Sequence, residues 1–369
     1  MSEQVRNRHS GASRSTVFAG VMNYSGISAG NSDRQQSLRA VMCWLLAVLL
    51  AGSAAADPGD LRRLDARLDA LVPPAARAVL VASGFQWLEG PVWDKRNGYL
   101  LFTDIPANAV YRWTPGKGTE LHLQPAGYTG DAPYTGREPG ANGLAFDAQG
   151  RLLLCQHGDR RIARLEADGR FTVLAGRWQG RRLNSPNDLV VARDGTVYFT
   201  DPPFGLPQTF DDPARELAIQ GVYRLSPEGE LQLLLDSLRA PNGIALSPDE
   251  RTLYVSDVDP ARPALWAFKL DADGRAGGGR VLFDARPWQA GRPGGPDGIE
   301  VDAAGNLIAV GPGGVFFLTP QGELLGILET GVATSNVAWG EDGSVLFITA
   351  GTGVYRLPLV TGSAPGAAP

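Results

Sequence analysis

Residues Ala141 to Leu154 read ANGLAFDAQGRLLL, and the chain then says nearly the same thing three more times. PNDLVVARDGTVYFTD begins at Pro186, PNGIALSPDERTLYVSD at Pro241 and PDGIEVDAAGNLIAV at Pro296. Each copy is an amide or acid, an alternating apolar run, a turn, and a second apolar run. The alignment extends to Glu89 of EGPVWD and to Asn336 of NVAWGEDG, so six registers are separated by 53, 45, 55, 55 and 39 residues. A self-similar unit of about 50 residues made only of short strands predicts a blade of a β-propeller.

Each unit divides into four strands. The first reads GPVWD, YLLFTDI, AVYRWTP and ELHLQPA, and the third reads DLVVA, TVYFTD, GVYRLS and LQLLLDS. Turn pairs such as Asn97-Gly98, Asp194-Gly195 and Asp342-Gly343 separate the first two strands of a unit. The sixth unit runs out of chain after GVYRLPL. Its missing outer strand is expected from ARAVLVASG, Ala76 to Gly84, which would close the ring and leave no open edge there. The expectation is an all-β, six-bladed β-propeller over residues 76–360. A pair of β-sandwiches is the alternative, but it leaves six repeats in register unexplained.

Outside the repeats the chain is of a different character. The run AVMCWLLAVLLAGSAAA, residues 40–56, is uncharged, follows Arg39 and ends in small residues, the pattern of a secretory signal peptide. It is short for a transmembrane span, though an uncleaved anchor is the alternative. Export to the periplasm or medium is therefore expected, with no stable membrane association after cleavage. Residues 1–39 are expected to be disordered or an over-extended start, with Met22 as the other initiator, and residues 361–369 a flexible tail. Leu61, Leu64, Leu68 and Leu71 recur at helical spacing before Pro73 and Pro74, so residues 57–75 are expected to form a short helical lead-in. Cleavage would leave Cys155 as the single cysteine, so an internal disulfide is excluded. The net charge of −5 and the absence of a basic run in the body argue against a nucleic-acid partner.

In a propeller, equivalent positions of successive blades lie on a ring about the axis. Glu89, Asn187, Asn242 and Asp297 therefore point at one place, with Asn142 expected farther out and Asn336 aligned less closely. These are oxygen donors carrying two negative charges and no thiolate, which suits Ca²⁺ better than a softer ion. Zn²⁺, Mn²⁺ and Mg²⁺ are the alternatives. Asn-Gly and Asp-Gly are also common turn dipeptides, and singly each would be read as structural. Glu89 is not explained that way.

The motifs LEGPVWD, FTDIPANAVYRW, SPNDLVV, TDPPFG, PNGIALSPDERTLYVSD and GPDGIEVDAAGNL resemble the gluconolactonase and senescence-marker-protein (regucalcin) family of six-bladed propellers, over about Phe85 to Leu357. The resemblance implies hydrolysis of a sugar lactone such as an aldonolactone at a divalent-metal site. Glu89, Asn242 and Asp297 match the family's metal ligands, and Asn187 matches an Asn at both metal and substrate. The Arg that animal members place two residues before that Asn is Ser185 here. LLLCQHG, with His157, is similar to bacterial members and to paraoxonase lactonases, in which a His at the His157 position belongs to a pair whose partner is Asn142 here.

The chemistry expected of such a site is attack of water on a carbonyl whose developing oxyanion is stabilised electrostatically. Asp297 and His157 are the two candidate bases. Asn142 and Asn187 are candidate substrate contacts, and Phe204 of DPPFG is a candidate apolar wall. The Gly-rich insertion Tyr128 to Gly140 is a candidate cover. The other readings are a non-catalytic propeller plugged by calcium, and an esterase or phosphotriesterase on the same site. Oligomeric state is not legible in the sequence.

Overall fold

A computed structural model of the chain describes residues 59–360. The expected signal segment, the residues before it and the tail lie outside that range. Six antiparallel sheets, five of four strands and one of four with an added outer strand, follow one another in chain order, and the innermost strands neighbour one another around a ring. The six-bladed propeller is therefore what the sequence folds into.

The innermost strands are Leu88–Asp94, Ala141–Phe146, Leu189–Val191, Pro241–Leu246, Ile299–Val301 and Thr334–Gly340. Every one pairs antiparallel with the next strand of its blade, and the third and fourth strands follow outward. The apolar residues of these strands pack between blades, not within them. One buried cluster joins Leu101 and Val110 of blade one to Leu144 and Leu154 of blade two. Another joins Tyr254 and Leu265 of blade four to Leu307 and Phe316 of blade five. A cluster of Phe102, Trp113 and Phe347 seals blade one against blade six. The period-two alternation read in the sequence is thus the imprint of two sheet faces, each buried against a neighbouring blade.

The ring closes as expected. Val79–Ser83 pairs antiparallel with Gly353–Pro358 and is the outer strand of blade six. The lead-in differs from expectation. Residues Asp60–Arg63 form a strand, paired Asp60 to Glu329 through Arg63 to Gly326, that makes blade five five-stranded. Only Ala66–Ala70 is helical, a short 3-10 turn capped by the Asp65 side chain. The backbone groups along the outer edge of Leu324–Glu329 need partners, and an extended segment satisfies them where a helix would not. Of the four leucines assigned to one helical face, Leu68 and Leu71 are buried between blades five and six, Leu61 lies in the strand, and Leu64 is 44% exposed.

The recurrent Thr-Asp or Ser-Asp at the end of a second strand has a shared task. Asp104 accepts from the backbone N–H groups of Gln86 and Trp87, Asp201 from Asn184 and Ser185, and Asp257 from Arg239 and Ala240. Each carboxylate anchors the chain just before it enters an innermost strand. This sets the register of the axial residue that follows.

Candidate functional site

Five of the six axial residues are joined by side-chain hydrogen bonds in two groups. Asn142 donates from Nδ2 to Oδ1 of Asn187 at 2.8 Å, and Asn187 donates in turn to Oδ1 of Asn242. Asn336 donates to Oε2 of Glu89 at 3.2 Å, which also accepts from the Gly90 N–H at 3.0 Å. Glu89, Asn142, Asn187, Asn242 and Asn336 are all buried. Asn142 is therefore on the ring and not farther out: its side chain bonds that of Asn187, and its backbone carbonyl accepts from the Thr103 hydroxyl of blade one at 3.2 Å. Asn336 fits the sixth position securely.

The glycine after most axial residues is a matter of crowding rather than of turns. A Cβ on Gly243 would lie 2.2 Å from the Asp297 carbonyl oxygen, and one on Gly90 would lie 2.1 Å from that of Asn142. Gly243 has no positive φ, so its role is the close approach of neighbouring inner strands. The turn reading of Asn242-Gly243 does not hold. Blades three and six break the pattern, with Asp188 and Val337, and the first exception is informative.

Glu89 and Asp297 share a low-dielectric site. Burial, and then the charge of Asp188, push the Glu89 carboxyl up to about 8. Asp297 is driven well above the usual carboxylate range, first by burial and then by the charges of Glu89, Asp188 and Glu138. Its Oδ1 is buried and, among the described residues, has no hydrogen-bond partner; the same is true of Asn142 Oδ1 and His157 Nε2. Two acids within electrostatic reach of each other, one with an orphaned buried oxygen, are an arrangement that a cation relieves. Among the described residues, no group of three or more His, Cys, Asp and Glu is arranged to hold a metal. The donor set here has only two such residues, and an ion at this place would need the amides of Asn187 and Asn242 as well. That composition fits a hard, oxygen-seeking ion and does not fit a thiolate- or imidazole-seeking one.

His157 follows Leu152–Gln156 and is fully buried. Its backbone N–H donates to the Gly140 carbonyl at 3.1 Å, two residues before Asn142, which puts it at the same end of blade two as the ring. Its Nδ1 lies 2.9 Å from Oε2 of Glu138. Glu138 comes from the insertion Tyr128 to Gly140, which also reaches blade three, where the Tyr134 hydroxyl donates to the Gly205 carbonyl. Gly205 in turn packs on the base of the His157 side chain. The loop carrying Gly205 is tied down by Ser185, whose hydroxyl donates to the Pro202 carbonyl at 2.6 Å and accepts from the Gly205 N–H at 2.9 Å. Phe204 is half-buried and meets Phe210 edge-on at 6.1 Å.

Sequence reasoning missed three carboxylates here. Asp188 had a signal, since it replaces the glycine found in PNGI, ANGL and PDGI. Burial raises it to about 6. Glu300, pushed up to about 8 by burial and by Asp188, lies with it in a 500 Å³ cavity farther along the inner strands. Glu138 sits in an irregular loop, where no periodicity points to it.

Comparison with known proteins places this site in context. The family model for the SMP-30/gluconolactonase/LRE-like region matches residues 87–352. A gluconolactonase of Zymomonas mobilis is 38% identical over 350 residues, covering 90% of this chain and 98% of that protein. A 6-deoxy-6-sulfogluconolactonase of Pseudomonas putida is 29% identical over 275 residues, 71% of this chain and 82% of that one. Among solved structures, a gluconolactonase of Xanthomonas campestris superimposes with a TM-score of 0.71 at 37% identity, over 82% of this chain and 96% of that one. The match spans all six axial positions, so this chain belongs to the SMP-30/gluconolactonase/LRE-like family.

Proposed function

We propose that this protein is a calcium-dependent lactonase that opens a sugar lactone, such as an aldonolactone, by attack of water. The observation that carries the reading is the Glu89–Asp297 pair, with the buried Asp297 Oδ1 lacking a partner among the described residues beside a chain of amides. Glu89, Asn187, Asn242 and Asp297 would hold the ion. When bound there, a divalent cation supplies Lewis acidity toward a carbonyl oxygen and positive charge against the oxyanion.

The chain's own residues do the rest. Asn142 Oδ1 has no partner among the described residues and is an acceptor for a substrate hydroxyl. Asn187, fixed by its two amide neighbours, presents its side chain to substrate in one orientation. The proton of the attacking water goes to Asp297 Oδ1 or to His157 Nε2, each a buried atom of a candidate base without a partner among the described residues. As the oxygen of water adds to the carbonyl carbon, the ring C–O bond breaks and its oxygen takes up a proton, so lactone and water give one hydroxy acid. The lactonase relatives support this substrate class, and the run at residues 40–56 supports export as its setting.

The test is a panel of aldonolactones, aryl esters and phosphotriesters, followed by acid release with and without calcium. The reading expects aldonolactones to be hydrolysed fastest. Turnover of esters or phosphotriesters alone would move the assignment to those classes, and no turnover at all would leave a binding propeller.

A further inference from the structure

We propose that Glu138 is a positioning residue for this reaction, holding the His157 ring in the tautomer that carries its proton on Nδ1 and leaves Nε2 as a bare acceptor. The inference rests on the lactonase reading for its reaction, and on geometry for the pair itself.

An ionised carboxylate can only accept hydrogen bonds, so the 2.9 Å contact between Glu138 Oε2 and His157 Nδ1 requires the hydrogen to sit on Nδ1. A neutral ring then exposes the Nε2 lone pair. That atom is buried and has no partner among the described residues, which is costly unless another molecule fills the role. The ring has little freedom to turn away. Its backbone N–H is bonded to Gly140, Gly205 is packed against its Cβ, and Ser185 also lies against that glycine. The charge of Glu138 is felt at both Glu89 and Asp297, so the pair stands within electrostatic reach of the axial acids. Glu138 is itself anchored, because the insertion that carries it is bonded at Tyr128 to Pro139 and at Tyr134 to Gly205.

The proton balance is simple. Nε2 takes one proton from water as the C–O bond to the carbonyl carbon forms. The same proton, or one from solvent, goes to the ring oxygen as its bond to carbon breaks. The Nδ1 proton stays shared with Glu138 throughout, and the carboxylate stabilises the imidazolium that exists between the two steps.

Two measurements on the full chain test this. The sequence has three histidines, so ¹⁵N-histidine labelling with long-range proton–nitrogen correlation resolves the tautomer of His157, assigned by its loss in His157→Ala. The proposal expects the Nδ1–H form in the native protein and a shift toward a tautomer mixture in Glu138→Ala. A native Nε2–H form would overturn it. In kinetics, Glu138→Gln should lower kcat roughly ten- to hundredfold with KM little changed. Placed in a His157→Ala background, the same change should cost nothing further. Native kcat in Glu138→Gln, or losses that multiply in the double variant, would overturn the assignment. If the native protein opens no lactone, the proposed activity fails, yet the tautomer still decides whether Glu138 orients His157.

Discussion

Asn336 of the last blade donates a hydrogen bond to Glu89 of the first, across 247 residues of chain, at 3.2 Å. Closure of the ring and construction of the site are therefore the same event. Beside it the Ser335 hydroxyl donates to the Leu88 carbonyl at 2.6 Å, so the backbone that presents Glu89 is stitched to blade six as well. Any change that loosens the seam between blades one and six should be felt at the axial acids.

Closure can be tested by truncation. A chain beginning at Gly59 keeps the outer strands of blades five and six and should unfold at the temperature of the full chain. A chain beginning at Phe85 loses both strands and the buried Leu68, Leu71 and Val72. Each buried side chain contributes about 1.5–3 kcal/mol, and their sum is comparable with the whole stability of an ordinary domain. The shorter chain should be insoluble or lose most of its cooperative unfolding in calorimetry. Equal melting of the two would show that the outer strands are dispensable.

The anchoring aspartates predict a contrast between two superficially similar changes. Asp201→Ala orphans the N–H groups of Asn184 and Ser185 in a fully buried place, at a cost of about 1–3 kcal/mol each. Asp168→Ala removes an exposed turn contact to Arg170 and should stay within about 0.5 kcal/mol. Urea denaturation of the two variants reads the difference. A midpoint for Asp201→Ala near the native value would show that this carboxylate does not set the strand entry.

Much of this was legible in the residues. Six repeats in register required a closed ring, and the apolar ARAVLVASG named the strand that closes it. Glu89 stood out because no turn needs it. What stayed hidden depends on contacts between distant segments. Leu61 to Leu71 have helical spacing, yet the demand of blade five's edge for backbone partners overrides that local pattern. The place of Asn142 on the ring depends on its bond to Asn187 of the next blade, which spacing along the chain does not show. Glu138 meets His157 only after the insertion folds back, and a loop has no period to announce it.

The raised carboxyls give a pH dependence with a definite sign. In protein without a metal, Glu89 and Glu300 each move from an ordinary 4.5 to about 8, chiefly through burial. The folded state then holds these protons more tightly than the unfolded one. The resulting stability is complete below the unfolded value and is lost as pH rises through the folded one. The melting temperature of chelated protein should therefore fall between pH 5 and pH 8, and Glu300→Gln should flatten that fall. Calcium binding at neutral pH should also release protons, seen as a dependence of binding enthalpy on the buffer used. Melting that rises with pH across this range would contradict the burial argument.

Charge separates the roles of the four proposed ligands. Glu89→Gln removes one of two formal charges and should weaken calcium binding more than Asn242→Ala, which removes a neutral donor. Asp297→Asn keeps an oxygen but loses a charge and a candidate base. It should depress turnover even when excess calcium refills the site, whereas Glu89→Gln should recover in part. Titration calorimetry and lactone hydrolysis across a calcium series measure both. Full recovery of Asp297→Asn would leave His157 as the base.

The most direct measurement is acid release from an aldonolactone by the native protein, before and after exhaustive chelation and again after calcium is restored. A cation held by Glu89, Asn187, Asn242 and Asp297 predicts turnover that disappears on chelation and returns with calcium at close to one equivalent per chain. Hydrolysis that survives complete removal of divalent metal would contradict the account, because the buried acids would then have been assembled for something else.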